Sequence, residues 1–410
     1  MTLFSIRRER LIKDIVGNGT IVLFSGNQIM KSEDEAYPFD VNRNFYYLTG
    51  LEQETMALVI SIIDGNISER LFILPYDELL AKWVGGRISK EEAKEISGVE
   101  TILDYSELDN YLVNLLNRQR HNQSYSLYFD LWHYSADQEA SPAINMANKY
   151  RNNYPSVNIK DIYSLISKMR LVKDDFEIAC IKRAIEITNK GVRQMMSSIK
   201  PGYNEMVMEG IFNFALAQNT CNKNAFKTIC ASGKRATILH YSDNNQIMED
   251  GELFLCDLGA TYKNYCADIS RTFPVNGKFS DRQKEIYEIV LGAQRVVENN
   301  ARPGVKLRDL NDLVIAYYKR ELPKHGLNKD VGEYYFHSIS HHLGLDTHDV
   351  SMGNIGLVPG NVITNEPGLY IEEENIGIRI EDDLLITGTG NEVLSKDIVK
   401  SVTDIEAMNN

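Results

Sequence analysis

Four carboxylates and a run of histidines in the second half of the chain have the types and spacing for metal chemistry. In the stretch ELFLCDLGATYKNYCADISR, Glu252 to Arg271, Asp257 follows Leu253, Phe254, Leu255 and Cys256, and Asp268 stands between Ala267 and Ile269. Apolar runs broken by a polar turn, Thr261 to Asn264, predict two paired strands. With the turn centred on Tyr262 and Lys263, Asp257 faces Asp268 and their Cβ atoms come within ~5 Å. Bare carboxylates so close repel, and one keeps a proton unless a dication lies between them. Oxygen ligands at this separation suit hard or borderline ions: Mn²⁺, Co²⁺, Mg²⁺ or Zn²⁺. A second stretch, EPGLYIEEENIGIRIED (Glu366 to Asp382), repeats the arrangement. Pairing about Glu373 and Glu374 sets Glu366 opposite Glu381, with Arg379 on the strand face of Glu381. His337, His341, His342 and His348 lie between the two hairpins. A single buried acid in a strand is usually a satisfied hydrogen-bond acceptor. Four at pairing distance would be costly unless a metal compensates them, so the pattern predicts a two-metal site.

These hairpins need a scaffold, and the flanking sequence predicts one. From Lys168 onward the pattern turns helical. Asp174 with Glu177 reads as a capping box opening a long helix whose apolar positions Ile178, Ile181, Ile185 and Val192 recur until Pro201-Gly202. Asn204 to Gln218 reads as a second helix. Ser280 with Gln283 caps a third, and Leu307 to Leu322 forms a fourth, halted by Pro323. The C-terminal domain, residues 168–410, thus reads as two helices and a carboxylate hairpin, repeated once. Glu406 to Asn410 reads as a frayed tail. Residues 1–167 read as an N-terminal α/β domain. Its expected strands are Ile21 to Ser25, Phe45 to Leu48, Met56 to Ile63, Arg70 to Leu74 and the segment 126–131; its expected helices are Ser89 to Ile96 and Leu108 to Leu116. It carries no Gly-rich phosphate loop. Trp83, beside a glycine pair, reads on spacing alone as a core residue.

The whole chain narrows the class further. Its 410 residues are 43% hydrophobic and 25% charged, ordinary values for a globular protein. A net charge of −13 argues against nucleic-acid binding, which needs a basic face. The N-terminus lacks a signal-peptide core and the longest apolar run, Met56 to Ile63, is too short to span a membrane. Five cysteines, an odd number without CxxC spacing, point to reduced thiols and a cytoplasmic location. Cys256 and Cys266, which flank the aspartates, read as small buried apolar residues. There is no HExxH or GxSxG motif, which sets aside zincin and acyl-enzyme chemistry.

Five segments in order, HYSDNN (240–245), CDLGATYKNYCADISRTFP (256–274), HSISHHLGLDTHD (337–349), NEPGLYI (365–371) and GIRIEDD (377–383), resemble the metallopeptidases of the pita-bread fold. RRERL (7–11), YPFDVNRNFYYLTG (37–50) and the Trp83 loop resemble the non-catalytic domain of the aminopeptidase P (Xaa-Pro aminopeptidase) family, so the resemblance covers nearly the whole chain. It implies two divalent ions, Mn²⁺ by preference and Co²⁺ or Zn²⁺ as alternatives, held by Asp257, Asp268, His341, Glu366 and Glu381, with Asp268 and Glu381 bridging. It further implies a metal-bridging hydroxide that attacks the peptide bond before a penultimate proline, with Glu366 shuttling the proton and the substrate's α-amino group on a metal. His240, His337 and His348 match histidines that hold substrate and stabilise the tetrahedral intermediate. Arg379 matches an arginine beside Glu381 and the substrate pocket, and Tyr370 belongs to a substrate-binding motif. His342 faces away from the site and reads as structural. The resemblance also makes Trp83 a pocket-edge residue that reaches a neighbouring subunit's active site in a homodimer or homotetramer.

Peptides with proline in second place are the expected partners, with no nucleic acid and no membrane. An Xaa-Pro dipeptidase (prolidase) shares the metal set and is the nearest alternative. Methionine aminopeptidases generally lack such an N-terminal domain, and creatinase lacks the five ligands. A non-catalytic binding module of the same fold is disfavoured because no ligand type is broken.

Overall fold

A computed structural model describes residues 2–122 and 124–408. The chain divides into two compact units, Met1–Met169 and Arg170–Asn410. The first is built on a mixed sheet of six strands: β1 (Gly19–Phe24), β2 (Ala57–Ile63), β3 (Asn66–Ile73), β4 (Thr101–Asp104), β5 (Ser126–Phe129) and β6 (Asn158–Asp161), in spatial order β4-β3-β2-β1-β5-β6. Every residue of β1 is buried, as a central strand covered on both faces requires. The helices of this part of the chain are α1 (Leu3–Lys13), α2 (Arg43–Thr49), α3 (Glu78–Val84), α4 (Lys90–Ser97), α5 (Leu108–Arg118), α6 (Pro142–Asn153) and α7 (Tyr163–Leu171). Leu108, Leu112, Leu115 and Leu116 of α5 and Ala143, Ala147 and Tyr150 of α6 pack at helical spacing onto the sheet.

Two expectations fail here. Phe45 to Leu48 is not a strand but the body of α2. The Asn42 side chain caps the N-terminus by accepting the Phe45 N–H, and Gly50 closes the other end at φ 72°. These end signals outweigh the β propensity of the aromatic run, which is itself buried: the Arg7 guanidinium stacks 4.1 Å from the Tyr47 ring and donates to the Tyr47 carbonyl at 3.1 Å. Arg8 donates to the carbonyls of Leu48 and Ser97, each at 2.9 Å, so the RRERL segment holds α2 and α4 together. Trp83 is not core. It lies on α3, a helix that buries none of its residues, and is 81% exposed.

The second unit repeats a helix pair and a hairpin. The first half contains α8 (Asp175–Ser198), α9 (Glu205–Gln218), β7 (Ile229–Ser232), β8 (Leu253–Leu258), the short turn strands β9 (Thr261–Tyr262) and β10 (Tyr265–Cys266), and β11 (Ile269–Pro274). The second half contains α10 (Asp281–Asn300), α11 (Leu307–Glu321), β12 (Val362–Asn365), β13 (Gly368–Ile371), β14 (Ile376–Arg379), β15 (Asp382–Ile386) and β16 (Asn391–Val393), with α12 (Val402–Met408) closing the chain. The capping boxes Asp174–Glu177 and Ser280–Gln283 are both formed. The tail is not frayed through Met408: within α12, Glu406 pairs with Lys284 at 3.0 Å. Asn409 and Asn410 lie outside the described residues. Among the described residues no helix is long and apolar enough to cross a membrane.

The second hairpin has the expected register: Gly368 faces Arg379 in β13–β14 and Asn365 faces Asp382 in β12–β15. Glu366 and Glu381 therefore oppose each other where both ladders are interrupted. Its acidic tip is held by three cations: Glu372 by Lys234 at 2.8 Å, Glu373 by Lys329 and Glu374 by Arg282 at 2.7 Å. The first hairpin departs from expectation. Its turn centres on Lys263 and Asn264, at φ 49° and 63°, the positive values of a two-residue type I′ turn. Ser270, not Asp268, faces Asp257. Asp268, two residues before Ser270, keeps the same strand face and lies diagonal to Asp257.

Candidate active site

Gly259 is what allows Asp268 to approach. A Cβ at Gly259 would lie 1.8 Å from the Ala267 carbonyl oxygen, so no other residue lets β8 and the Asp268 segment come so close. Gly259→Ala is expected to cost roughly 1–3 kcal/mol of stability by overpacking against backbone. It should also lower bound metal, measured by thermal melting and elemental analysis; an unchanged melt with full metal content would contradict this role. At Asp268 the ladder breaks, and the Asp268 N–H donates to Asp383 Oδ2 at 3.3 Å.

The two hairpins meet at Ser270 and Glu381. The Glu381 N–H donates to the Ser270 carbonyl at 3.0 Å, and the Ser270 hydroxyl donates to Glu381 Oε2 at 2.8 Å. Arg379 lies on the same interface and donates to Asp257 Oδ2 at 2.7 Å, Ser270 Oγ at 2.8 Å and the Tyr370 hydroxyl at 2.9 Å. Its guanidinium thus ties one carboxylate of the first hairpin to the second. Besides its ion pair with Asp257, Arg379 lines the cavity.

His341 joins from the segment between α11 and β12. Its Nδ1 lies 3.0 Å from the His342 carbonyl, which can only accept, so Nδ1 carries a proton and Nε2 is the atom turned to the carboxylates. That Nε2 lies 3.3 Å from Asp268 Oδ2 and 3.5 Å from Glu366 Oε1. Ligand atoms of Asp268, His341 and Glu381 all fall within 4.8 Å of one another. Glu366 completes the group and accepts from the Thr364 hydroxyl at 3.2 Å, while the His341 N–H donates to that same hydroxyl.

The electrostatics call for cations. Burial, then the charges of neighbouring carboxylates, raises the carboxyls of Asp268 and Glu381 well above the ordinary range. Burial also raises Glu366, although His341 and Arg379 oppose it. Asp257 Oδ1 is buried without a hydrogen-bond partner. Four carboxylates, one of them with an orphaned oxygen, and the His341 imidazole form a donor set suited to divalent ions. Asp257, Asp268, His341, Glu366 and Glu381 are the residues that could hold them.

The cluster forms the floor of an open cavity of about 780 Å³ lined also by His240, His337, His348 and Arg379, with Phe226, Ile229 and Leu239 as an apolar wall. His337 donates from Nδ1 to the Ser338 carbonyl at 2.8 Å and receives the Tyr370 hydroxyl on Nε2 at 3.0 Å. Burial and the nearby Arg379 lower it to about 4, so it is a neutral ring at physiological pH. The His348 ring lies 4.1 Å from that of His341 and is also shifted down, first by burial. His342 is buried, forms a backbone bridge with Ile363 and is not among the residues lining the cavity. Trp83 belongs to the other unit and is not among the residues lining the cavity. Ser270 and Thr364, which orient Glu381 and Glu366, were missed in the sequence. A turn centred on Lys263-Asn264, where asparagine tolerates positive φ, would have revealed Ser270.

Comparison with known proteins agrees with this geometry. Residues 179–388 match the model of metallopeptidase family M24, and residues 4–125 match the aminopeptidase P N-terminal domain. The chain is 35% identical to the Xaa-Pro aminopeptidase of Escherichia coli, over 99% of this chain and 97% of that protein. A candidate aminopeptidase P from Bacillus anthracis superposes with a TM-score of 0.96 at 40% identity, covering 99% and 97% of the two chains. Zinc-substituted E. coli aminopeptidase P in complex with product gives 0.89 at 33% identity, covering 99% and 97%. The C-terminal unit has the pita-bread fold.

Proposed function

The chain belongs to metallopeptidase family M24 and is a metal-dependent hydrolase of the aminopeptidase P type; from that premise we propose that it removes the N-terminal residue from peptides whose second residue is proline. The observation that carries this reading is the set of four carboxylates and His341, buried or half-buried, on the floor of an open cleft. Asp257, Asp268, His341, Glu366 and Glu381 would hold two divalent ions, Mn²⁺ by preference. When bound, they supply an activated water for attack on the carbonyl before proline and a charge sink for the substrate's free amine.

The chain's own residues do the rest. Glu366 stands at the cleft side of the cluster, next to His337 at 3.7 Å, and carries the water's proton to the departing proline nitrogen. His240 and His348 line the cavity, where they hold the substrate carbonyl as charge develops. Arg379 and Tyr370 fix the orientation of His337 through a relay in which each donates to the next. Trp83, exposed on a helix without buried residues, is suited to contact a neighbouring copy in a homodimer or homotetramer. All five cysteines are buried and none forms a disulfide, which supports the cytoplasm as the compartment.

Release of arginine from Arg-Pro-Pro, compared with cleavage of Gly-Pro, tests this directly. Treatment with EDTA should abolish cleavage of the tripeptide and Mn²⁺ should restore it, with the dipeptide slower. Cleavage of the dipeptide alone would replace this reading with a prolidase. No cleavage of either by metal-loaded protein would end it.

A further inference from the structure

The rim of the cleft carries a cation that the chemistry above does not use. Ile229 pairs with Asp257, whereas Asn224 bridges Ala260, so Ala225, Phe226, Lys227 and Thr228 fill a gap that Leu258 and Gly259 fill on β8. The surplus makes the β7 edge bulge, a device that re-aims side chains beside a site. Phe226 and Lys227 line the cavity as a result. Lys227 is exposed and has no hydrogen-bond or ion-pair partner among the described residues. Among the described residues lining the cavity only Lys227 and Arg379 carry a permanent positive charge, and Arg379 is engaged by Asp257. Asp346, also in the lining, is held by Arg170 at 2.8 Å, so it does not neutralise Lys227.

We propose that Lys227 selects the first residue of the substrate, favouring acidic N-terminal side chains over basic ones. The inference rests on the functional reading above, and it takes the substrate's amine to lie over the carboxylate floor by Asp257. Ile229 faces Asp257 across the sheet, so the first side chain rises along Ile229 towards the bulge and meets the Lys227 ammonium.

Glu-Pro-Pro, Gln-Pro-Pro and Lys-Pro-Pro compared on the Mn²⁺-loaded enzyme give the test. The glutamate peptide should exceed the lysine peptide about threefold to fivefold in kcat/KM, the range of a solvent-accessible ion pair. The difference should appear in KM and shrink in 1 M salt. Lys227→Met should bring the ratio near one, and Lys227→Glu should reverse it. A ratio unmoved in both variants would overturn the proposal. So would a common factor applied to all three peptides, which would mean that Lys227 acts on the total charge of the floor. Failure to cleave any peptide would instead refute the functional reading. Calorimetric binding of the same peptides would then still show, for wild type against Lys227→Glu, whether the acidic preference exists.

Discussion

Exchanging Glu381 for glutamine is expected to lower turnover by on the order of a thousandfold or more while raising the melting temperature of the metal-free protein. Both effects have one cause. Glu381 is buried, and its carboxyl is raised by burial and then by Asp268, Glu366 and Asp257, so in the metal-free chain its charge is a liability. Glutamine keeps the shape and can still accept from the Ser270 hydroxyl, which lies 2.8 Å from Glu381 Oε2. Removing one negative charge therefore relieves the repulsion without opening a cavity. The same change removes one of the carboxylates that would hold the ions, so metal affinity falls and with it turnover; a thousandfold is about 4 kcal/mol of barrier. Steady-state kinetics, metal content and melting curves with and without EDTA decide the matter. A variant that keeps turnover, or whose metal-free form melts lower than wild type, would contradict the assignment.

The second large effect lies behind the site. Asp349 ends the segment that carries His341 and His348, and its carboxylate is buried between two cations: Arg170 at 2.5 Å and Lys173 at 2.9 Å. Burial alone would raise this carboxyl, but Lys173 and Arg170 hold it down to about 2. Asp349→Asn leaves both cations buried without their counter-charge and should cost about 3–5 kcal/mol. The pH dependence follows in sign. A carboxyl depressed from ~3.9 in the unfolded chain contributes stability that is fully present above pH 4. It is lost as pH falls from about 4 to about 2, a contribution of about 2–3 kcal/mol. Wild type and Asp349→Asn should therefore differ most near pH 6 and converge towards pH 2 in urea unfolding. Asp268 and Glu381, raised rather than lowered, act in the opposite direction in the metal-free protein. Since both proteins share them, the difference between the two curves isolates Asp349. Parallel curves at every pH would show that the ion triad does not anchor this segment.

Much of this architecture is legible in the chain because its signals are local. Capping boxes at Asp174 and Ser280 opened helices where expected, and the helix-helix-hairpin repeat followed from periodicity. The second hairpin could be registered from its polar tip, since a run of charges between apolar strands leaves one symmetric pairing. The first could not: TYKN offers two centres, and the backbone chose Lys263-Asn264 because asparagine accepts positive φ. The same locality misled at Phe45 to Leu48, where aromatic β propensity hid a helix settled by its caps. Side-chain partners far apart in the chain were beyond such signals. Arg379 reaches Asp257 across 122 residues and Lys173 reaches Asp349 across 176, contacts that exist only once the two repeats fold against each other. Sequence alone pointed to the residues that could bind metal and to how the second hairpin would present its pair, since alternation and turn chemistry act over a few residues. Tertiary structure alone decided which of those carboxylates are paired, orphaned or held by Ser270 and Thr364, because burial and charge compensation are properties of the assembled core.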